Sequence, residues 1–341
     1  MMLDNNWYGH RTILSDFCNL DNKPSFSIIQ HGWSAYYNAG YFGGKKKFRP
    51  PNICWSDIVK DKCKERGIKN IHSIGSPFLY LCKMLETSKD NLENQTATGA
   101  IYFPAHNTVQ IKDSKTKHEK IINEIEKNCK APFTVCFYYA DLTDENTRIY
   151  KERNWRITCC GNRGDDKMLY KIYLELSKHE KIIVSEIGSL TFYAMYLKKK
   201  VKLLKSVNNE LLMTRSSKIE ESDDNIQNES LKNVDKRGYL ERYDKCLRIG
   251  DEYEAKFINT FPSVVSDFLD EKSGFEIAKK ELGFDSLKSV EELKKILGWS
   301  SYVKIFLSKI FSKYFDLRYK PQVRSGESEV PRHKIKLGES D

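Results

Sequence analysis

Ile182-Ile183-Val184-Ser185-Glu186-Ile187-Gly188-Ser189-Leu190-Thr191-Phe192-Tyr193-Ala194 runs from β-branched residues, through small hydroxylated residues and a glycine, into an apolar segment of helical composition. That is the order of a buried strand, a tight loop and a helix start. In an open α/β sheet such a junction is where phosphates and nucleotides are held, because the first N–H groups of the helix have no internal partner. Ser185, Ser189 and Thr191 can cap the helix or offer hydroxyls to an anion, and Gly188 lets backbone N–H groups approach it. An ordinary Ser/Thr cap after a core strand has the same signature, so the clusters at other strand ends decide how much weight it bears.

The same alternation recurs upstream. Residues 25–30 read as a strand ending at His31-Gly32-Trp33, followed by a Gly/Lys/Pro-rich loop over 38–52. A strand resumes at 53–56, and a helix runs from Ser56 to about Arg66, where Gly67 stops it. A strand and turn occupy 70–77, and a helix 78–86. Residues 87–98 are polar without periodicity and make the best linker. A second series then gives strands at 100–103, 133–139 and 156–159, with helices at 118–128 and 143–153 between them. Leu169, Ile172, Tyr173 and Leu176 give the next helix one apolar face. The strand 181–184 enters the junction quoted above, and 201–204 is one more strand.

The segment 205–238 is rich in Asn, Ser, Glu and Asp and reads as a loop or insertion. Helices are expected over 252–269, 275–282, 289–297 and 300–317. The expected fold class is α/β, with two Rossmann-like domains facing a cleft and a helical C-terminal region. The boundaries are 1–90 and 99–205 for the two domains, 206–238 for the insertion, 239–320 for the helical region and 321–341 for a disordered tail.

Composition narrows the function classes. The 341 residues are 40% hydrophobic and 30% charged, which describes a soluble globular chain. No stretch approaches the roughly 20 apolar residues of a membrane span, and the first residues lack the pattern of a signal peptide. A cytoplasmic location is the expectation. The nine Cys form no C-x-x-C pair and no His/Cys ligand spacing, so they read as buried hydrophobes in a reducing compartment. No metal and no cofactor is expected. The net charge of +10 suggests an anionic partner. Without a zinc-finger, RNP or helix-turn-helix pattern, that partner is not expected to be nucleic acid.

Three strand-end clusters could carry chemistry. Gln30-His31-Gly32-Trp33 puts a histidine at a strand's carboxyl end beside a glycine that leaves room for a ligand, a good place for a general base. Phe103-Pro104-Ala105-His106-Asn107 repeats the arrangement in the second series, and Ile74-Gly75-Ser76-Pro77 has Gly and Ser instead. For each alone, a satisfied turn residue is the simpler reading. Together with the junction at 182–194 they converge on one crevice if two doubly wound sheets face each other.

Taken with Trp7-Tyr8-Gly9-His10-Arg11, these segments resemble glycosyltransferases of the two-Rossmann-domain (GT-B) type found in bacterial surface-polysaccharide gene clusters, those of capsule and O-antigen. The resemblance covers about 7–205. More distantly the pattern is similar to bacterial sialyltransferases and to the polyol-phosphate transferases of wall polymers. The resemblance implies that His31 is the catalytic base. It implies that His106, Ser185, Glu186, Gly188, Ser189 and Thr191 bind the donor, with Gly32, Gly75 and Ser76 lining the cleft.

Two departures leave the donor open: Ala105 separates Pro104 from His106, and no paired-acid-then-Gly motif is present. The implied activity is inverting, metal-independent transfer of a sugar from a nucleotide-sugar to a glycan or lipid-linked glycan acceptor. The alternatives are a nucleotide-sugar epimerase on the same scaffold and a non-catalytic glycan-binding or assembly protein. The segment 300–320 alternates apolar and basic residues. It suits either an anionic inner-membrane surface, making the protein peripheral there, or a last helix packed across both domains.

Overall fold

A computed structural model of the chain describes residues 6–20, 25, 27–34, 50–87, 96–104, 115–204, 252–261, 263–269 and 271–299. His106, the insertion expected at 206–238 and the segment 300–320 lie outside the described residues.

The described strands form two sheets, both parallel throughout. β1 (Ile28–Ile29), β2 (Asn52–Cys54) and β3 (Ile71–Ser73) stand in that order in a three-stranded sheet. β4 (Ala100–Phe103), β5 (Phe133–Phe137), β6 (Arg156–Cys159), β7 (Lys181–Val184) and β8 (Lys200–Leu203) form a five-stranded sheet in the order β6-β5-β4-β7-β8. That is the doubly wound 3-2-1-4-5 order, with its switch point between β4 and β7. α1 (His10–Phe17) precedes β1, and the helices between strands are α2 (Asp57–Glu65), α3 (Pro77–Thr87), α4 (Lys115–Asn128), α5 (Asp144–Glu152), α6 (Met168–Lys178) and α7 (Ser189–Tyr196). After them come α8 (252–260), α9 (Ser263–Ser266), α10 (Glu271–Leu282) and α11 (Val290–Ile296).

Alternation along each strand explains the layering, because successive side chains leave opposite faces of a sheet. Ile101, Phe103, Ile182, Val184, Val201 and Leu203 project into one core, while Ala100, Tyr102, Val135, Phe137 and Ile183 project into another with residues of α4 and α5. The first of these cores also takes Ile29 and Ile53 from the small sheet and Phe78 to Cys82 from α3. The two sheets thus share one hydrophobic interior, lined by α1, α3, α6, α7 and the C-terminal helices. Among the described residues, the other face of the small sheet is covered by α2, through Val59 and Cys63 against Ile28, Cys54 and Ile71. α7 is apolar on all sides because it is enclosed, with Thr191 to Met195 all buried.

Local chemistry sets the ends of several elements. Ser56 caps α2 by accepting from Val59 N–H, Thr143 caps α5 from Asn146 N–H, and Ser289 with Glu292 forms a capping box on α11. Two expectations change. The strand expected at 133–139 stops at Phe137, and Tyr139–Asp141 turns as a 3-10 helix. The single helix expected over 252–269 is broken: α8 ends at 260, where the sequence carries Pro262, and Leu269 instead pairs antiparallel with Val201. Proline lacks the N–H that continuation needs and disfavours helix in the residue before it.

The C-terminal helices close the end of the small sheet. Gly283, at φ +73, lies so tightly on the Trp55 carbonyl that a Cβ there would overlap it. Gly67 has the same left-handed backbone at φ +76 with nothing within 4 Å. Substituting alanine at Gly67 should therefore cost only the left-handed penalty of about 1–2 kcal/mol. Gly283→Ala adds a backbone collision and should cost well above that, read as the difference in urea unfolding midpoints of the two variants.

Candidate functional site

The carboxyl ends of both sheets meet. Beyond β1 the chain turns through Gln30-His31-Gly32-Trp33, and Trp33 N–H donates to Ser189 Oγ at 2.8 Å, at the first residue of α7. Gly32 is close enough that a Cβ would lie 3.3 Å from the same oxygen. The turn before α1 does likewise at the edge strand β6: Tyr8 N–H donates to the carbonyl of Arg163, in the loop after β6, at 2.8 Å.

Gln30 builds this edge. Its buried side chain accepts from Trp55 N–H at 2.9 Å and donates to the Gly32 carbonyl at 2.8 Å, tying the end of β1 to the end of β2 and shaping the turn that presents His31. Its own carbonyl faces His10 Nδ1 at 3.2 Å. His10 is 1% exposed, and burial, reinforced by the nearby His31, pushes its pKa down to about 3. The ring is therefore neutral, with its proton on Nδ1 for the Gln30 carbonyl. The indole N–H of Trp55 is buried and no described residue accepts from it, an unmet donor at the end of β2.

His31 is half-buried among rings. Tyr8 lies nearly parallel to it with centroids 5.9 Å apart, and Trp7 is 5.7 Å away. Burial first, and the Arg163 charge second, hold its pKa below the ordinary 6.5. The imidazole is neutral at pH 7 and can accept a proton. Arg163 rests on the Trp7 ring, 4.3 Å from its centroid. Tyr138, just past β5, belongs to the same cluster: burial, with Tyr139 and Tyr8 adding to it, pushes its phenol up to about 12.

The other residues singled out in sequence fall into three groups. Ser189 and Gly32 meet beside His31. Ser185, Glu186, Gly188 and Thr191 form the loop after β7, at the switch point, but their hydroxyls are engaged within the fold. Ser185 is buried with its Oγ 2.7 Å from the Tyr102 hydroxyl. Thr191 Oγ1 accepts from Gly188 N–H and donates to the Glu186 carbonyl, both at 3.2 Å. Gly188 is the N-cap of α7, so no serine side chain caps that helix. The loop offers backbone N–H groups and the exposed Glu186 carboxylate. Gly75 and Ser76 are taken up by packing: Ser76 N–H donates to the Leu282 carbonyl at 2.8 Å, its side chain shares the buried Tyr193 phenol with Ser189, and Gly75 makes room for Leu287. The space that glycine leaves is filled by the C-terminal helices.

Glu281 was not visible as a site residue in the sequence. It is 7% exposed, accepts from Trp33 Nε1 at 2.7 Å and from Tyr253 OH at 3.0 Å, and anchors the His31 turn to α10. A polar position on an amphipathic helix gives no signal of such a role. Arg163 was equally silent, one basic residue in a polar loop. Among the described residues no group of His, Cys, Asp and Glu is placed to hold a metal ion, and no helix is long and apolar enough to cross a membrane.

No family model, curated protein or solved structure matches this chain. Its function has to be argued from side chains and sheet topology.

Two outcomes follow from these contacts. Because the folded state refuses the proton that the unfolded chain takes up at His10, stability from this residue is complete above pH 6.5 and is lost as pH falls towards 3. His10→Gln should flatten the decline in unfolding free energy between pH 7 and 4.5, measured by urea titration beside the native protein. Trp33→Phe keeps the ring and removes one donor from the buried Glu281 carboxylate, a loss of about 1–3 kcal/mol. On a Glu281→Gln background the same change should cost less, as a double-mutant cycle would record.

Proposed function

We propose that this chain is a glycosyltransferase that moves a sugar from a nucleotide-sugar donor to a bacterial surface glycan, with inversion and without a metal. The observation that carries the reading is the meeting of His31, at the end of β1, with the start of α7, at the switch point of the other sheet. A base and a phosphate-binding edge are what this chemistry needs side by side. Parallel α/β sheets bind ligands beyond their strand ends at such switch points, and the GT-B arrangement is the natural frame for two of them.

In this reading His31 takes the proton from an acceptor hydroxyl. That oxygen forms its bond to the anomeric carbon, and the bond from that carbon to the nucleotide's phosphate oxygen breaks, the electron pair leaving with the nucleotide. The backbone N–H groups of Glu186, Ile187 and Ser189 stabilise the charge that develops on the leaving phosphate. Glu186 is placed to hold the donor's ribose or base. His106, which follows β4 across the switch point in sequence, would complete the phosphate site. The engaged hydroxyls of Ser185 and Thr191 support the loop's shape, and Ser189 positions the His31 turn. The acceptor would be a glycan or lipid-linked glycan, and the work would be done at the cytoplasmic face of the membrane.

The test is sugar transfer by the purified protein from CMP-, UDP-, GDP- and dTDP-linked donors to membrane glycolipid extracts, with product anomers assigned by NMR. His31→Gln should lower kcat by about 10²–10⁴-fold. The acidic limb of the rate profile should lie below pH 6.5, and Arg163→Gln should move it upward, because the cation that disfavours imidazolium is gone. Retention of anomeric configuration would remove the single-displacement role of His31.

A further inference from the structure

We infer that Arg163, with Tyr138 and Tyr139, forms a subsite for a sugar bearing an anionic group, a carboxylate or a phosphate. The inference deepens the transferase reading, on which it rests for one word: the sugar would be the acceptor.

Arg163 is exposed, and no described carboxylate pairs with it. Asp165, in the same loop, is paired with Lys171 at 2.6 Å and accepts from Lys167 N–H. The guanidinium carbon lies over the Trp7 ring, 4.3 Å from its centroid, and the Arg163 carbonyl accepts from Tyr8 N–H. Among the described residues none accepts from this guanidinium, whose N–H donors form a planar fork. That fork matches two oxygens of a carboxylate or phosphate. Fixing the side chain beforehand also removes much of the ordering cost of binding.

The rings beside it supply what a pyranose needs. Tyr139 is 48% exposed, one of few large apolar side chains left bare, and packs edge-on against Tyr138 with centroids 4.7 Å apart. Tyr138 lies within electrostatic reach of both Tyr8 and Arg163. A bare aromatic face with a phenol at its rim takes the C–H face of a sugar and hydrogen-bonds its hydroxyls. All of these groups stand on the turns after β5 and β6, on the side of the switch point away from β7. A donor phosphate at the start of α7 and an anionic sugar at Arg163 would then lie on either side of His31.

The experiment measures binding without any donor, so that transfer and recognition are read separately. Methyl β-D-glucuronide, glucose 6-phosphate and methyl β-D-glucoside are titrated into the full chain by NMR saturation transfer and calorimetry. At least one of the two anionic probes should bind about tenfold or more tighter than the glucoside. Which of the two does so separates a uronic-acid acceptor from a phosphorylated one. In Arg163→Gln the preference should fall to about onefold with glucoside binding unchanged, which also reports that the variant is folded. Arg163→Lys should retain part of it. Tyr139→Ala should weaken all three probes together.

Equal binding of charged and neutral sugars by the native protein would overturn the inference. So would a preference that survives Arg163→Gln, or no binding of any probe. A native protein that discriminates the anionic sugars yet transfers none from any donor would overturn the transferase reading and leave this subsite standing. Transfer to neutral acceptors as readily as to anionic ones would do the reverse.

Discussion

Tyr193 lies flat on Phe78, with ring centroids 4.1 Å apart and planes 17° from parallel. One ring belongs to α7, behind the large sheet, and the other to α3, behind the small one. Both are buried, and around them the shared core takes residues from both sheets. Close-packed interiors do not deform gradually, so this contact sets how far apart the two carboxyl edges can stand. The hydrogen bond from Trp33 to Ser189 is made at the spacing the stack leaves. The Tyr193 phenol, kept protonated by burial, reaches Ser76 and Ser189 on the two sides of that seam.

A consequence is that polar groups at the seam have structural as well as chemical work. Gln30 joins two strand ends, Glu281 joins the His31 turn to α10, and Thr191 closes the loop after β7. Each is a short-range bond between groups that have little access to water, where an unmet partner costs more than a met one gains. Beside the seam stand His31, half-buried and neutral, and Arg163, exposed and charged. Their proximity lowers the proton affinity of the histidine while giving the site a positive rim.

Strands and helices were legible wherever one period dominated. Ala100–Phe103, Arg156–Cys159 and Lys181–Val184 are read directly from β-branched and aromatic runs, and the helices expected to start at Ser56, Thr143 and Ser289 do so with those residues as their caps. The fold class followed from that alternation, since parallel strands need crossovers. What a glycine or serine at a strand end is for was not legible. Gly75 leaves space, and only the packing of Leu287, more than two hundred residues later, decides that a side chain and not a ligand fills it. Ser185 has the composition of a phosphate loop, but the Tyr102 hydroxyl on the neighbouring strand has the prior claim. Arg163 and Glu281 carry no periodic signal, because their roles come from the surfaces that tertiary packing brings beside them.

The bond from Trp33 to Glu281 spans 248 positions of the chain. Contacts between residues so distant in sequence must wait for the loop between them to close, and topologies rich in them form slowly. During synthesis the small sheet leaves the ribosome before α10, which later covers part of its strand-end surface. That surface includes the backbone that Gly283 later covers, and it is apolar around Trp55 and Ile74. The half of the molecule carrying His31 is therefore translated ahead of the helix that finishes it.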